Sequence, residues 1–250
     1  MDRTAERKIL SKIATAVGAA AETLQPAPVT GFLSMKGDSY QGELMWVGRA
    51  VNGWTKGWTP MELREPDNVA AFVETVCKSV SGESGKGQTC PMRWVSAFWG
   101  NKDSYNTNRS AFWRTARRTI GELKIADVEQ DNWPSHMVWS NLYKVAPEAG
   151  WNPNGQLAKV QREKCRELLL HEISALRPKR LVFATGSDWA AGLLDSSCFV
   201  RDPDMVAGRY TRQAGNIVID GDVIGSFIVA DHPMGKDETV WVREVKSALS

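Results

Sequence analysis

AKVQREKCRELLLHEISALRPKRLVFATG, residues 158–186, is the stretch whose reading decides the fold. Val160, Cys165, Leu168, Leu169, Ile173 and Leu176 recur at helical spacing, so 158–176 reads as a long amphipathic helix. Pro178 cannot continue it. RLVFATG then follows, apolar at successive positions and ended by Gly186. A strand apolar on both faces belongs in a sheet covered on both sides. Helix, proline stop and two-sided strand together are the repeating element of a parallel α/β sheet.

Outward from this core the same pattern recurs. LMWVG (44–48) and MVWSNL (137–142) are two further apolar strands. In NIVIDGDVIGSFIVAD an Asp-Gly pair, Asp220-Gly221, lies between β-branched runs, which signals a hairpin whose second arm ends at Ala230. Helices are expected over 4–24 (Ile9, Leu10, Ile13, Val17 and Leu24 inward), after Asp67 (Val69, Phe72, Val73, Val76 and Val80 inward), after Ser110, in DWAAGLL, and over 237–249. SGESGKGQ at 81–88 reads as a flexible loop. In the helix after Ser110, Phe112, Trp113, Ala116 and Ile120 face inward, which puts Arg114, Arg117 and Arg118 on the other side. The expectation is a single three-layer α/β domain over 31–250, with about four core strands in a short, mostly parallel sheet flanked by helices. Residues 1–30 form an N-terminal helix and connector.

Composition narrows the function classes. In 250 residues, 31 Lys+Arg against 29 Asp+Glu leave a formal charge of +2, so any nucleic-acid contact comes from local patches. The chain carries 42% hydrophobic and 24% charged residues, which excludes long disorder. No Cys pair among Cys77, Cys90, Cys165 and Cys198 has C-x-x-C spacing, which argues against a zinc ribbon. The absence of a secretory signal and of a long apolar run points to a reducing cytoplasm. The unusual figure is 11 Trp. A Trp-rich core accounts for most of them; a few lining a site for a flat ligand is the sharper reading.

Ligands of open parallel sheets bind beyond the carboxyl ends of the strands. The residues there are Gly48-Arg49-Ala50-Val51-Asn52-Gly53-Trp54, Ser140-Asn141-Leu142-Tyr143-Lys144, Thr185-Gly186-Ser187 and Asp231-His232-Pro233-Met234-Gly235-Lys236. A phosphate-loop motif, a dinucleotide fingerprint, a nucleophile elbow and an H-E-x-x-H motif are all missing.

In their order, MWVGRAVNGW (45–54), VWSNLYKVAP (138–147) and DHPMGK (231–236), with RPKRLVFATGSDWA between the last two, resemble the uracil-DNA glycosylase superfamily. The likeness spans about residues 40–250. It implies that fold and a monofunctional hydrolase that everts a pyrimidine nucleotide and cleaves its N-glycosidic bond. His232 is implied as the donor to the departing base anion, and Asn141 as the reader of the base edge. Gly48 and Arg49 line the base pocket, and Trp54 (or Trp58) stacks on the base. Met234 wedges into the gap left by extrusion, while Lys144, Lys236, Arg114, Arg117 and Arg118 contact phosphates. The superfamily's first motif usually carries an acid or Asn two residues beyond its Gly, or Glu directly after it; here those places hold Ala50 and Arg49. Asn52 is the nearest candidate to position the water, with Asp231 as fallback acid. Where uracil-specific members have a Tyr that blocks C5, this chain has Asn52, which leaves room for hydroxymethylated or glucosylated cytosine of phage DNA and for a role in antiviral defence. Of the four cysteines that hold an iron–sulfur cluster in some branches, only Cys165 is matched, so no cofactor is expected. The partner is DNA bearing a modified or damaged pyrimidine, and the enzyme is expected as a monomer. Repair of uracil or other deaminated bases, non-catalytic sensing of modified DNA, and a nucleotide- or sugar-directed α/β enzyme stay open as alternatives.

Overall fold

A computed structural model describes residues 3–84, 87–205 and 207–249. The helices are α1 (Thr4–Ala19), α2 (Pro66–Ser79), α3 (Trp94–Ala97), α4 (Ala111–Glu122), α5 (Gly155–Leu176), α6 (Ser187–Ala190) and α7 (Glu238–Leu249). The strands are β1 (Val29–Gly31), β2 (Met35–Lys36), β3 (Leu44–Gly48), β4 (Glu83–Ser84), β5 (Gly87–Gln88), β6 (Met137–Asn141), β7 (Val145–Pro147), β8 (Arg180–Ala184), β9 (Phe199–Arg201), β10 (Thr211–Ile219) and β11 (Asp222–Ala230).

The chain divides into two compact units, each assembled from three separated stretches: Met1–Ser34, Arg49–Glu83 and Asn141–Ala175 in one, Met35–Gly48, Ser84–Ser140 and Leu176–Ser250 in the other.

The second unit holds the sheet. Its strand order is β2-β6-β3-β8-β11-β10-β9. At the centre β8 runs parallel to both β3 (Trp46 opposite Val182) and β11 (Ile228 opposite Val182). Leu181, Val182, Phe183 and Ala184 of β8 are fully buried, as the two-sided apolar run demanded. The sheet is wider than the four core strands expected. β2 pairs antiparallel with β6, and β10 and β9 extend the other edge antiparallel. The β10–β11 hairpin turns on Asp220 (φ 53°) and Gly221 (φ 89°), two consecutive left-handed residues, the requirement of a tight type I′ turn. Helix α7 packs on β10 and β11, and α4 packs on β3 and on α7.

The first unit packs α1 against α2 and pairs β1 antiparallel with β7 (Val29 opposite Pro147, Gly31 opposite Val145). Gly18 lets α1 lie directly on the 62–64 turn: a Cβ there would sit 2.2 Å from the Leu63 carbonyl oxygen. Several expected bounds shift. Helix α1 stops at Ala19 and a short 3₁₀ turn covers Ala21–Thr23. Helix α5 begins at Gly155, with Leu157 N–H bonded to the Asn154 side chain, and DWAAGLL yields only the four-residue α6. The 81–88 stretch carries the short β4 and β5; residues 85 and 86 within it lie outside the described residues.

Candidate functional site

In the second unit β3, β8 and β11 run the same way, so Gly48, Thr185 and Asp231-His232 leave the sheet at one edge. The exits of β8 and β11 are tied together: the Thr185 and Gly186 N–H groups both donate to the Ala230 carbonyl at 3.1 and 2.8 Å. Gly186 has φ 86°, a conformation that favours glycine.

His232 is half-buried on this edge. Its ring stacks on Phe112 of α4, with centroids 6.4 Å apart and planes 17° apart. Its Nδ1 accepts a hydrogen bond from the Met234 N–H at 3.3 Å. An accepting Nδ1 assigns the ring proton to Nε2. Phe112 itself meets Trp46 of β3 edge-on at 6.0 Å, so an aromatic stack backs the imidazole. Met234 is 73% exposed, and Lys236 is exposed with its ammonium 5.9 Å from the Tyr210 ring.

The other candidates of this unit are differently employed. Both oxygens of Asp231 bond Arg212, while the Trp241 indole N–H donates to the Asp231 carbonyl at 2.8 Å. The fallback acid is thus half of an ion pair. The basic face of α4 is likewise not a row of open cations. Arg114 grips Glu238 of α7 through two nitrogens and also bonds the Asn108 carbonyl. Arg117 bonds the Val128 carbonyl and Glu129 and lies over the Trp99 ring. Arg118 bonds Thr239. The helix periodicity gave the side of these arginines correctly but could not show that α7 and the 127–129 loop cover it.

In the first unit, Asn141 ends β6 and is 1% exposed; its Nδ2 has no hydrogen-bond partner. The Tyr143 N–H donates to the Arg49 carbonyl at 2.9 Å, so the segments that follow β3 and β6 run side by side. Trp54 donates its indole N–H to Ser79 of α2 at 2.9 Å and meets Phe32 edge-on at 5.8 Å. Trp58 is buried against Phe72. Trp58 is thus taken up in packing, while Trp54 is half-buried with its N–H engaged. Asn52 is exposed, and its Oδ1 accepts the Trp151 N–H at 3.0 Å. The oxygen expected to position water instead fixes a neighbouring loop.

Lys144 is the plainest correction. It is fully buried, and its ammonium bonds both oxygens of the equally buried Glu172 at 2.8 and 2.9 Å. No phosphate reaches it there. Around it stand Glu6, Arg3, Ser34 and Gln161. Arg3 bonds Glu6 and the Ser34 carbonyl, and the Gln161 side chain bonds Lys144 N–H, Val145 N–H and the Val145 carbonyl. Burial, opposed in part by Arg3, raises the Glu6 carboxyl to about 7. Cys165, which donates to Gln161, has its thiol pushed up to about 12 by burial. The sequence did carry a signal for this network. Glu6 lies three and four residues before Ile9 and Leu10, and Glu172 lies four after Leu168, so both acids fall on inward stripes.

The sequence reading also missed Trp151. Of the 11 Trp it is the one classed as exposed, at 83%. Its backbone adopts φ 82°, unusual for a bulky residue. Among the described residues no three His, Cys, Asp or Glu side chains group as a metal site, and no helix is long and apolar enough to cross a membrane. No protein-family model matches the chain, and no curated protein shows significant similarity to it.

Proposed function

We propose that the chain is a DNA glycosylase of the uracil-DNA-glycosylase type, which takes an everted pyrimidine nucleotide and hydrolyses its N-glycosidic bond to leave an abasic site. The observation that carries this reading is Asn141: a carboxamide at a strand's carboxyl end, 1% exposed, with an Nδ2 that bonds nothing. Leaving a buried donor unsatisfied costs about 1–3 kcal/mol. A pyrimidine carbonyl is an acceptor that would repay it, with the amide oxygen left for the neighbouring ring N–H or amino group.

His232 supports the same reading from the chemistry. Bond cleavage leaves negative charge on the departing base. A neutral Nε2–H donor, held in place by the Met234 N–H and the Phe112 ring, gains strength as that charge grows. Water then adds its oxygen to the sugar carbon and its proton neutralises the base. The base class in this proposal is a pyrimidine with a C5 substituent, hydroxymethylated or glucosylated cytosine of phage DNA, as antiviral defence.

Oligonucleotides carrying uracil, hypoxanthine, 5-hydroxymethylcytosine or its glucoside, treated with alkali after incubation, reveal abasic sites and name the base. His232→Ala should lower single-turnover cleavage at least about 100-fold while DNA binding persists. Unchanged cleavage would remove His232 from the chemistry. One observation favours a second reading, a non-catalytic sensor of modified DNA: Asp231 is paired with Arg212 and the Asn52 oxygen is spent on Trp151, so neither acts as a base toward water. Tight binding of modified DNA without any abasic product would select it.

A further inference from the structure

Within the first unit lies a cavity of about 290 Å³ that the proposed chemistry does not use. Its walls are mostly apolar, with Leu24, Val29, Pro60, Pro147 and Leu157 among them, and Trp151 stands among its lining residues. None of the lining residues is charged. The volume is at the small end of ligand pockets, enough for one ring system rather than a peptide.

Trp151 is held in place by its backbone. Gly150 before it has φ 94° and Trp151 itself φ 82°, and the Asn52 amide oxygen receives the Trp151 N–H at 3.0 Å. The fit is close: a Cβ on Gly150 would lie 2.5 Å from that same oxygen. Two consecutive left-handed residues, the second a tryptophan, cost backbone energy that a glycine at 151 would avoid. What the arrangement yields is an indole 83% exposed at the cavity. Strain of this kind marks a position whose side chain has work to do, and an exposed indole offers a flat face on which another ring stacks. Gln25 and Asn152, both exposed cavity residues, add carboxamides that pair with a lactam or amidine edge.

We infer that this cavity is a binding site for an uncharged planar heterocycle of the nucleobase class, stacked on Trp151 and met at its edge by Gln25 and Asn152. No charged side chain lines the pocket to pair with a phosphate, so the ring is placed inside and any sugar or phosphate outside it. Two sources supply such a ring: a free nucleoside, or an unpaired base of a single-stranded oligonucleotide. The inference does not rest on glycosylase activity.

The test is isothermal titration of the whole chain with thymidine, deoxycytidine and deoxyadenosine, and with a short single-stranded oligothymidylate, for the unaltered protein and for Trp151→Gly, Trp151→Phe and His232→Ala. Trp151→Gly suits the left-handed backbone and so keeps the fold, which circular dichroism confirms independently. Stacking on an aromatic side chain is worth a factor of roughly 5 to 150 in affinity. Trp151→Gly should therefore weaken binding by at least about fivefold, and Trp151→Phe should restore most of it. Tighter binding of the oligonucleotide than of every nucleoside identifies the strand as the source; equal or weaker binding identifies the free nucleoside. The inference is overturned if no nucleoside and no oligonucleotide binds at millimolar concentration, or if Trp151→Gly binds as well as the unaltered protein. It is also overturned if His232→Ala abolishes binding and Trp151→Gly does not. Because binding is read without cleavage, a protein that makes no abasic site leaves this result intact, and a failed titration leaves the glycosylase assay intact.

Discussion

Glu6 permits a sharp test of how the first unit is held. Its side chain is fully buried on α1, with one oxygen bonded to Arg3 at 2.8 Å and the other, Oε1, without a partner. Burial raises its pKa from an ordinary 4.5 to about 7; Arg3 lowers it, Glu172 raises it further and Lys144 lowers it. In the unfolded chain the group titrates near its ordinary value, so between roughly pH 4.5 and 7 the folded state holds a proton that the unfolded state has released. The stabilisation is complete below the lower value and is lost as pH rises through the upper one. A gap of about 2.5 units at about 1.4 kcal/mol each amounts to roughly 3 kcal/mol. Glu6→Gln keeps an acceptor for Arg3 and removes the titration. Urea unfolding of both proteins from pH 4 to pH 8.5 should show the native protein losing about 3 kcal/mol relative to the variant as pH climbs, with the change centred between pH 4.5 and 7. Taking the difference cancels every other titrating group. Parallel stability profiles for the two proteins would refute the reasoning.

Two further substitutions probe the placements described above. Lys144→Met strands the buried Glu172 carboxylate and should cost about 3–5 kcal/mol in chemical denaturation, much of it recovered by adding Glu172→Met; an undiminished stability with weakened, less salt-dependent DNA binding would return Lys144 to the surface role. Gly215→Ala sets a Cβ 2.1 Å from the Val200 carbonyl oxygen on β9, so β9 must shift, lowering the melting temperature by an amount equivalent to about 1–3 kcal/mol; unchanged melting would place that edge strand elsewhere.

The buried strands were legible because period and burial coincide. LMWVG, MVWSN and RLVFA each have no polar face to misplace, and Asp220-Gly221 names its own turn. The edge strands were not legible. Met35–Lys36 and Val29–Gly31 are too short to show a period, and what makes them strands is the partner across the ladder. The candidate site divides similarly. The strand-end positions of His232, after β11, and Asn141, at the end of β6, were readable because strand ends follow once strands are known. What Asn52, Asp231 and Lys144 bond to is decided by residues as distant as Trp151 and Glu172, and no local pattern carries that information. The Arg114 face shows the same limit, because helical spacing gives a direction but not what stands in that direction.

The interleaving of the two units bears on how the polypeptide is made. The Ser34 N–H bonds Glu172, 138 positions later, and Arg3 and Glu6 belong to the same buried group. At synthesis rates of roughly 5–20 residues per second, the amino-terminal helix exists for about 7–30 s before the acid that completes its surroundings has been translated. During that interval α1 can already pack on α2, but Arg3, Glu6 and Ser34 wait for the Lys144–Glu172 pair, so the nascent chain is a natural client for holdase chaperones until α5 emerges.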